Sequence, residues 1–319
     1  MSKISIVIPV YYNADTLEML YADMQEKILP ALGDYEIVFV DDGSGDDSWE
    51  IMNRIREKDG NVVCVRLSRN FGEHAALLAG LSICTGDCAV TKQADLQESS
   101  TLITELYDKW KEGHKVVLAV RGERDEGALK KFFAGLYYKL VRATINRDMP
   151  PGGCDCYLLD RQVINEIERM AEKNSSLTLQ VMWTGFRPEM VYFHRLDRTV
   201  GESRWTFAKK VKLVMDSLMS FTYLPVRMMS YFGAIFLLLS VIGVVGVIVE
   251  KVTVGTPIVG YASLMSIILL GFGLVLFNLG ILGEYIWRTL EESRNRSPFI
   301  IDEVHGGSFG SEEMRKQIG

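Results

Sequence analysis

Two uncharged apolar runs limit what this chain can fold into more than any other feature. Tyr231–Val249 is 19 residues without a charge, and Ile258–Gly283 is longer and equally uncharged. At ~1.5 Å per residue, each reaches across a ~30 Å hydrocarbon core as a helix. A helix that is apolar on every face has no polar side to turn to water, so a soluble setting suits it poorly. Two transmembrane helices are therefore expected. The loop between them, Glu250–Pro257, carries one lysine. Lys209, Lys210, Lys212, Arg227, Arg288, Arg294 and Arg296 flank the runs on their other side. The positive-inside rule then places both termini, and everything before the first run, in the cytosol. Gly271, Gly273, Gly280 and Gly283 would let the two helices, or a neighbouring subunit, approach closely.

The flanks divide the rest. Thr206–Arg227 mixes Phe207, Val211, Leu213, Val214, Met215, Leu218 and Phe221 with Lys209, Lys210 and Lys212. A basic start and an apolar remainder suit a helix lying in the membrane interface. An amphipathic core helix is the competing reading. After Ser297 the tail is polar apart from Phe299-Ile300-Ile301, which could dock on a neighbour. The expected organisation is a soluble domain over 1–205, interfacial helices over 206–230, two membrane helices over 231–290 and a cytosolic tail over 291–319. The net charge of -6 gives no sign of nucleic-acid binding. Five cysteines without a C-x-x-C pair, and four scattered histidines, speak against a zinc site and for reduced thiols facing the cytosol. Met1-Ser2-Lys3 runs directly into a strand pattern rather than a signal peptide.

Within 1–205, apolar strand patterns alternate with helical ones. Ile4–Ile8 is a β-branched run ended by Pro9, and Leu17, Leu20, Tyr21, Met24 and Ile28 then recur at helical spacing, with Asp15 or Thr16 placed to cap them. Further strands are expected at Tyr35–Val40, Val62–Leu67, Cys88–Thr91 and Lys115–Ala119, with helices from near Trp49 and over Glu73–Cys84. Alternation of this kind predicts an α/β fold with a mostly parallel sheet and right-handed crossovers. No G-x-G-x-x-G follows the first strand, which disfavours a dinucleotide-dependent redox enzyme.

In such a sheet, ligands bind at the carboxyl ends of the strands. Two acidic stretches fall there. Asp95 and Gln97 leave the fourth strand two residues apart, so on extended chain they point the same way and can offer oxygen ligands to one hard cation, Mg²⁺ or Mn²⁺. Asp41 and Asp42 leave the second strand in an acidic, glycine-rich turn. Each stretch alone also reads as a polar loop or a solvated helix cap. Together on one edge they suggest a nucleotide-sugar pocket, one holding base or ribose and the other the metal and diphosphate.

Several segments then match one family in register. Ile8-Pro9-Val10-Tyr11-Tyr12-Asn13, Val40-Asp41-Asp42-Gly43-Ser44, Leu67-Ser68-Arg69-Asn70-Phe71-Gly72 and Ala94-Asp95-Leu96-Gln97 resemble family 2 glycosyltransferases, and in particular the polyprenyl-phosphate glycosyltransferases. The match continues through Cys154-Asp155, Leu158–Arg161, Trp183–Arg187, Gly201–Trp205 and Leu282–Ile286. The resemblance implies a GT-A type nucleotide-sugar-binding domain and direct, inverting transfer from a nucleotide sugar, commonly UDP-linked, to a polyprenyl phosphate such as undecaprenyl phosphate. Carried over by position, Pro9, Tyr11, Asp41, Asp42, Gln93, Arg121 and Arg124 are the donor-binding set, with Asp42 near the uridine. Asp95, Gln97 and Asp155 are the metal set, and Asp95, Asp155 and Arg204 the catalytic set. A surface charge is the competing reading for the arginines.

The chain also departs from that pattern. The family usually has an acid where Gln93 stands, an arginine where Tyr157 stands, and arginines in the region reading Leu177-Thr178-Leu179-Gln180. An altered donor preference is one consequence, and a non-catalytic relative that binds nucleotide sugar at the membrane is another. A processive polysaccharide synthase is disfavoured, since two spans form no ready conduit and no Q-x-x-R-W string is present.

Overall fold

The first strand shows why this sheet forms where it does. All seven residues of β1 (Ile4–Val10) are buried, as a strand covered on both faces by helices must be. Pro9 does not end it. Ile4 N donates to Asp34 O and Val10 O accepts from Asp42 N, so the even residues turn their backbone groups to β2 and the odd ones to β4. Pairing with β4 stops at Val7 opposite Thr91. The N–H that proline lacks therefore falls where no ladder bond was available. The structure is a computed structural model and describes residues 2–122, 135, 139, 142–143, 146–150, 154–170, 176–193, 224–253, 260–294 and 296–307.

The chain divides into two units, one of residues 1–214 with 297–319 and one of residues 215–296. In the first, β1 pairs in parallel with β2 (Tyr35–Asp41) and β4 (Cys88–Thr91), and β2 with β3 (Val62–Leu67). β5 (Val116–Arg121) and β7 (Pro188–Phe193) form another parallel pair. Between the two groups β6 (Cys154–Asp160) runs antiparallel to both β4 and β5. The order across the sheet is β7-β5-β6-β4-β1-β2-β3-β8, so the expected mostly parallel α/β fold is present, with β6 and β8 reversed.

β8 (Ile301–His305) lies antiparallel on β3. It comes from the tail, which caps this chain's own sheet edge instead of a neighbour's. An uncovered apolar edge strand is a template for aggregation, and the returning segment replaces β3 at that edge with a strand carrying Asp302 and Glu303.

Helices α1 (Ala14–Lys27), α2 (Leu29–Leu32), α3 (Ser48–Lys58) and α5 (Thr101–Lys111) bury Leu17, Leu20, Met24, Met52, Ile55 and Leu106 with Ile4, Ile6, Ile8, Ile37 and Phe39 on one face. α4 (Glu73–Ile83) covers the other face, beside α6 (Arg161–Met170). Its close seat depends on Gly80: a Cβ there would collide with Val7 Cγ1 and lie 3.0 Å from Val40 Cγ2. α7 (Leu177–Trp183) follows, capped by Ser176, whose side chain accepts from Leu179 N.

The start of α1 differs from the expectation. Asn13, not Asp15 or Thr16, is the N-cap residue, and its side chain accepts from Tyr11 N (3.0 Å). Thr16 Oγ1 donates to Asn13 O (3.1 Å) and to Ala94 O (2.7 Å), tying α1 to the loop after β4.

The second unit contains α8 (Leu224–Thr253) and α9 (Tyr261–Ser293), both long and apolar enough to cross a membrane. α8 starts earlier than expected, so residues 224–230 belong to it. Residues 206–223, expected as interfacial helix, lie outside the described residues, as do 254–259. Large apolar side chains stand exposed along both helices, Leu237 at 66% and Phe272 at 65%. Of the four glycines expected at close approach, Gly271 meets a neighbour, with the Phe236 ring 3.7 Å from where a Cβ would sit. Gly273, Gly280 and Gly283 meet nothing within 4 Å.

Candidate active site

The carboxyl ends of β1, β2, β4 and β5 lie on one edge of the sheet, and β6 begins there because it runs the other way. The turns after β1 and β2 are stitched together. Tyr12 N donates to Ser44 Oγ (3.0 Å), Asn13 N to Ser48 Oγ (3.1 Å) and Ala14 N to Asp46 Oδ2 (3.2 Å). Pro9 is buried in β1. Tyr11 and Tyr12 stand 38% and 44% exposed in an edge-to-face pair, which leaves apolar ring surface at the mouth of the edge. Tyr12 adopts φ 54° and Leu96, in the loop after β4, φ 58°. They are the non-glycine residues in the left-handed region among those described, and such strain collects at ligand-handling turns.

Asp41 and Asp42 are enclosed, at 0% and 3% exposure. Asp41 Oδ1 accepts from Ser44 N (2.9 Å), and its Oδ2 takes no hydrogen bond but faces Arg66 Nε at 3.6 Å. Asp42 is a clamp: Oδ1 accepts from Phe71 N (2.7 Å) and Oδ2 from Gly72 N (2.9 Å). Gly43 permits this contact, because at φ +69° a Cβ would sit 2.7 Å from the Arg69 carbonyl carbon and from Asn70 N. Burial pushes the Asp42 carboxyl up to about 6, against the two backbone hydrogen bonds that favour its anion. Burial also raises Asp41, opposed by Ser44 and Arg66.

The loop after β4 is built differently. Lys92 is fully buried and its ammonium donates to Glu98 O (2.8 Å), pinning the far end of the loop. Asp95 and Gln97 are half-buried above it, and Asp95 Oδ1 accepts from Gln97 N (3.2 Å). Gln93 Nε2 donates to Glu73 Oε1 (2.7 Å), across from the first residue of α4. Asp95 and Arg121 are near enough to act on the Glu73 carboxyl through space. Desolvation and the Asp95 charge push that carboxyl up, while Gln93 and Arg121 oppose it. Glu73 keeps more than a third of its surface exposed. Pairing of β4 with β6 runs to Val90 opposite Leu158, and Asp155 sits near the start of β6, where the register with β5 shifts between Ala119 and Val120.

The edge therefore gathers Pro9, Tyr11, Asp41, Asp42, Gln93, Asp95, Gln97, Arg121 and the backbone of Asp155. The Asp155 side chain, Arg124 and Arg204 lie outside the described residues. Tyr157, where an arginine is usual, is buried at 4% exposure, and Leu177, Leu179 and Gln180 are buried too. Sequence reading missed Glu73, Arg66 and Ser44. Among the described residues no three His, Cys, Asp or Glu side chains converge as a ready metal site. The donors that do stand at the loop are oxygens alone, Asp95, Gln97 and Gln93 backed by Glu73, and that set fits a hard divalent cation. All five cysteines are free and buried, with no disulfide.

Residues 5–168 match the family described as glycosyl transferase family 2. An uncharacterised glycosyltransferase of Synechocystis sp. is 36% identical over 95% of this chain and 96% of its own length. A prophage-derived bactoprenol glucosyl transferase of Shigella flexneri is 33% identical over 96% of this chain and 99% of its own length. Among solved structures, glucosyl-3-phosphoglycerate synthase from Mycobacterium tuberculosis in complex with Mn²⁺, uridine diphosphate and glucosyl-3-phosphoglycerate superposes with a TM-score of 0.51. It shares 16% identity, over 69% of this chain and 79% of that one, a likeness of fold.

Proposed function

The chain belongs to glycosyl transferase family 2, and we propose that it moves a sugar from a UDP-linked donor to a polyprenyl phosphate, undecaprenyl phosphate being the first acceptor to test. The observation that carries this reading is the convergence of the Asp41–Ser44 turn, the Gln93–Gln97 loop, Arg121 and the start of β6 on one sheet edge. Relatives named as bactoprenol glucosyl transferases match over nearly their whole length, which makes UDP-glucose the first donor to test. Two helices of bilayer-spanning length accord with a lipid acceptor. In this reading they anchor the enzyme in the membrane with its sheet domain and both termini in the cytosol.

The chemistry asks little of a general base. A phosphate monoester has its second pKa near ~6, so the acceptor oxygen is already an anion at neutral pH. What the protein supplies is alignment of that oxygen behind the anomeric carbon, and direct attack inverts the centre. Tyr11 and the clamped Asp42 turn bound the base-binding end of the pocket. Arg121, with Arg124 and Arg204, meets phosphate charge. Asp95, Gln97 and Asp155 would hold Mg²⁺ or Mn²⁺, which supplies positive charge to the departing diphosphate.

A panel of labelled nucleotide sugars, offered with undecaprenyl phosphate to the full chain in detergent, tests the reading. Label from one UDP-sugar should enter the lipid fraction. Donor binding without transfer across the panel would leave a sugar-nucleotide-binding partner protein as the better account. For topology, a reporter fused at Val254 should read outside the cytosol; a cytosolic signal would replace the two spans with a re-entrant hairpin.

A further inference from the structure

Gln93 stands where an acid is usual, which on sequence alone removes one negative charge from the cation-binding loop. The structure returns that charge from another element. Glu73 opens α4 and comes from the far side of β1 and β2 in the sheet order, yet its Oε1 accepts from Gln93 Nε2 at 2.7 Å. The carboxylate decides how the amide sits. An amide oxygen turned toward a carboxylate oxygen would repel it, so the amine end faces Glu73 and the carbonyl oxygen faces the other way. Gln93 can then present an oxygen to a cation while Glu73 supplies the charge one hydrogen bond behind it. Outer groups of this kind orient ligands and raise their basicity.

We propose that Glu73 is a positioning residue for the donor site: through Gln93 it replaces the missing carboxylate of the cation-binding loop. The proposal rests on the donor-site reading above and deepens it. Three features converge on it. Gln93 is placed two residues before Asp95 on the same loop. Asp95 and Arg121 both lie within electrostatic reach of the Glu73 carboxyl, so it shares their pocket rather than a remote surface. β6, which carries Asp155 near its start, pairs with β4, the strand that leads into the Gln93 loop. A charge at Glu73 thus acts at the place where the cation would meet its protein ligands. It also removes the need to read Gln93 as a sign of lost activity.

The test is Mn²⁺ titration of the full chain in detergent, with UDP present, followed by calorimetry or by the Mn²⁺ resonance signal. Wild type is compared with Glu73→Gln and with the exchanged pair Glu73→Gln/Gln93→Glu. Glu73→Gln keeps a hydrogen-bonding side chain of the same size, so a merely structural contact survives it. Mn²⁺ affinity should nevertheless fall about 10-fold or more, the range seen when an outer-shell partner is removed. UDP affinity without metal and the melting temperature should change little. The exchanged pair, which returns the charge from the other side of the same hydrogen bond, should recover Mn²⁺ affinity. Wild-type Mn²⁺ affinity in Glu73→Gln would overturn the proposal while leaving the donor site standing. Failure of the exchanged pair to recover would overturn it too, since the charge would then not be what matters. If wild type itself takes up no Mn²⁺ with UDP, the donor-site reading falls and this proposal with it.

Discussion

The turn after β2 and the loop after β4 carry acids at the same sheet edge, and they use them in opposite ways. Asp41 and Asp42 are sealed in the protein, their oxygens held by Ser44, Phe71 and Gly72 N–H groups and faced by Arg66. Asp95 is half-buried on a loop that places Leu96 in the left-handed region and is pinned from below by Lys92. One pair of carboxylates spends its charge holding backbone in shape. Asp95 is left partly exposed on its loop, where a cation can meet it. An acidic motif at a ligand-binding edge is therefore not by itself a set of ligands; burial and hydrogen-bond partners separate the wall of a site from its working groups.

The sharpest way to break this division is to neutralise one acid of each kind. Asp95→Asn should lower transfer by about 10³-fold, the scale of losing a principal electrostatic contact to the reacting groups. Its melting temperature should stay within a few degrees of wild type. EDTA should abolish transfer in wild type and added Mg²⁺ or Mn²⁺ restore it. Full turnover in EDTA would take Asp95 out of any metal-holding role.

Asp42→Ala should do the reverse, with its first effect on stability. It strips the acceptor from two backbone N–H groups in a part-buried loop, at about 1–3 kcal/mol for each group left unsatisfied. For a domain of this size that corresponds to about 10 °C in melting temperature. Donor affinity should fall as a consequence, because the 67–72 loop is no longer held against Gly43. A variant that melts like wild type but binds UDP weakly would make Asp42 a direct ligand and erase the contrast with Asp95.

A smaller effect sharpens the same point through pH. Burial raises the folded-state carboxyl of Asp42 to about 6, above its unfolded value near ~3.9. This group therefore takes up a proton on folding between those limits. Its own contribution to stability rises as pH falls through about 6 and levels off below the unfolded value. Protonation also weakens it as an acceptor for Phe71 and Gly72. The amide proton shifts of those two residues should titrate with a midpoint near 6, and Asp42→Asn should flatten the curves. Shifts that stay level from pH 4 to 8 would mean the two hydrogen bonds outweigh burial.

How much of this could be read in the chain depends on how local the cause is. β1 to β4 were legible because strands buried on both faces must be continuous apolar runs. The carboxyl-edge acids were legible because they follow those runs directly. β6 was not, since Cys-Asp-Cys-Tyr-Leu-Leu-Asp mixes polarity and its place between β4 and β5 is set by long-range pairing. β8 was read as part of a polar tail that could dock on a neighbour, because Ile-Asp-Glu-Val-His becomes a strand by virtue of the edge it covers. Glu73 looks like any acid in the first turn of a helix. Its bond to Gln93 spans 20 residues and appears once α4 is seated on Gly80. Asp42 was found as an acid of the donor edge, but its clamp was not, because its partners lie 29 and 30 residues away in a loop that the local pattern does not place.

The smallest expected effect concerns the link between the sealed turn and the tail. Arg66 stands on β3 with its guanidinium 3.6 Å from Asp41, 3.8 Å from Glu303 of β8 and 5.5 Å from the Trp49 ring centre. His305 of β8 packs on the same tryptophan and meets Asn53 Oδ1 at 2.6 Å. The arginine is a third exposed, and its pair with the exposed Glu303 is long, so solvent screens that attraction to well under about 1 kcal/mol. Arg66→Met keeps the apolar stem over Trp49 and removes the charge. Its denaturation midpoint should move slightly. Hydrogen exchange should quicken at β8 amides before it quickens at the Asp41 turn, because Asp41 still holds Ser44 N while Glu303 loses its tie to β3 and keeps His305 of its own strand. Exchange that quickens first at Ser44 would show that the sealed turn depends on Arg66 for its shape. In that case the tail strand, through one shared arginine, would be part of the wall of the donor pocket.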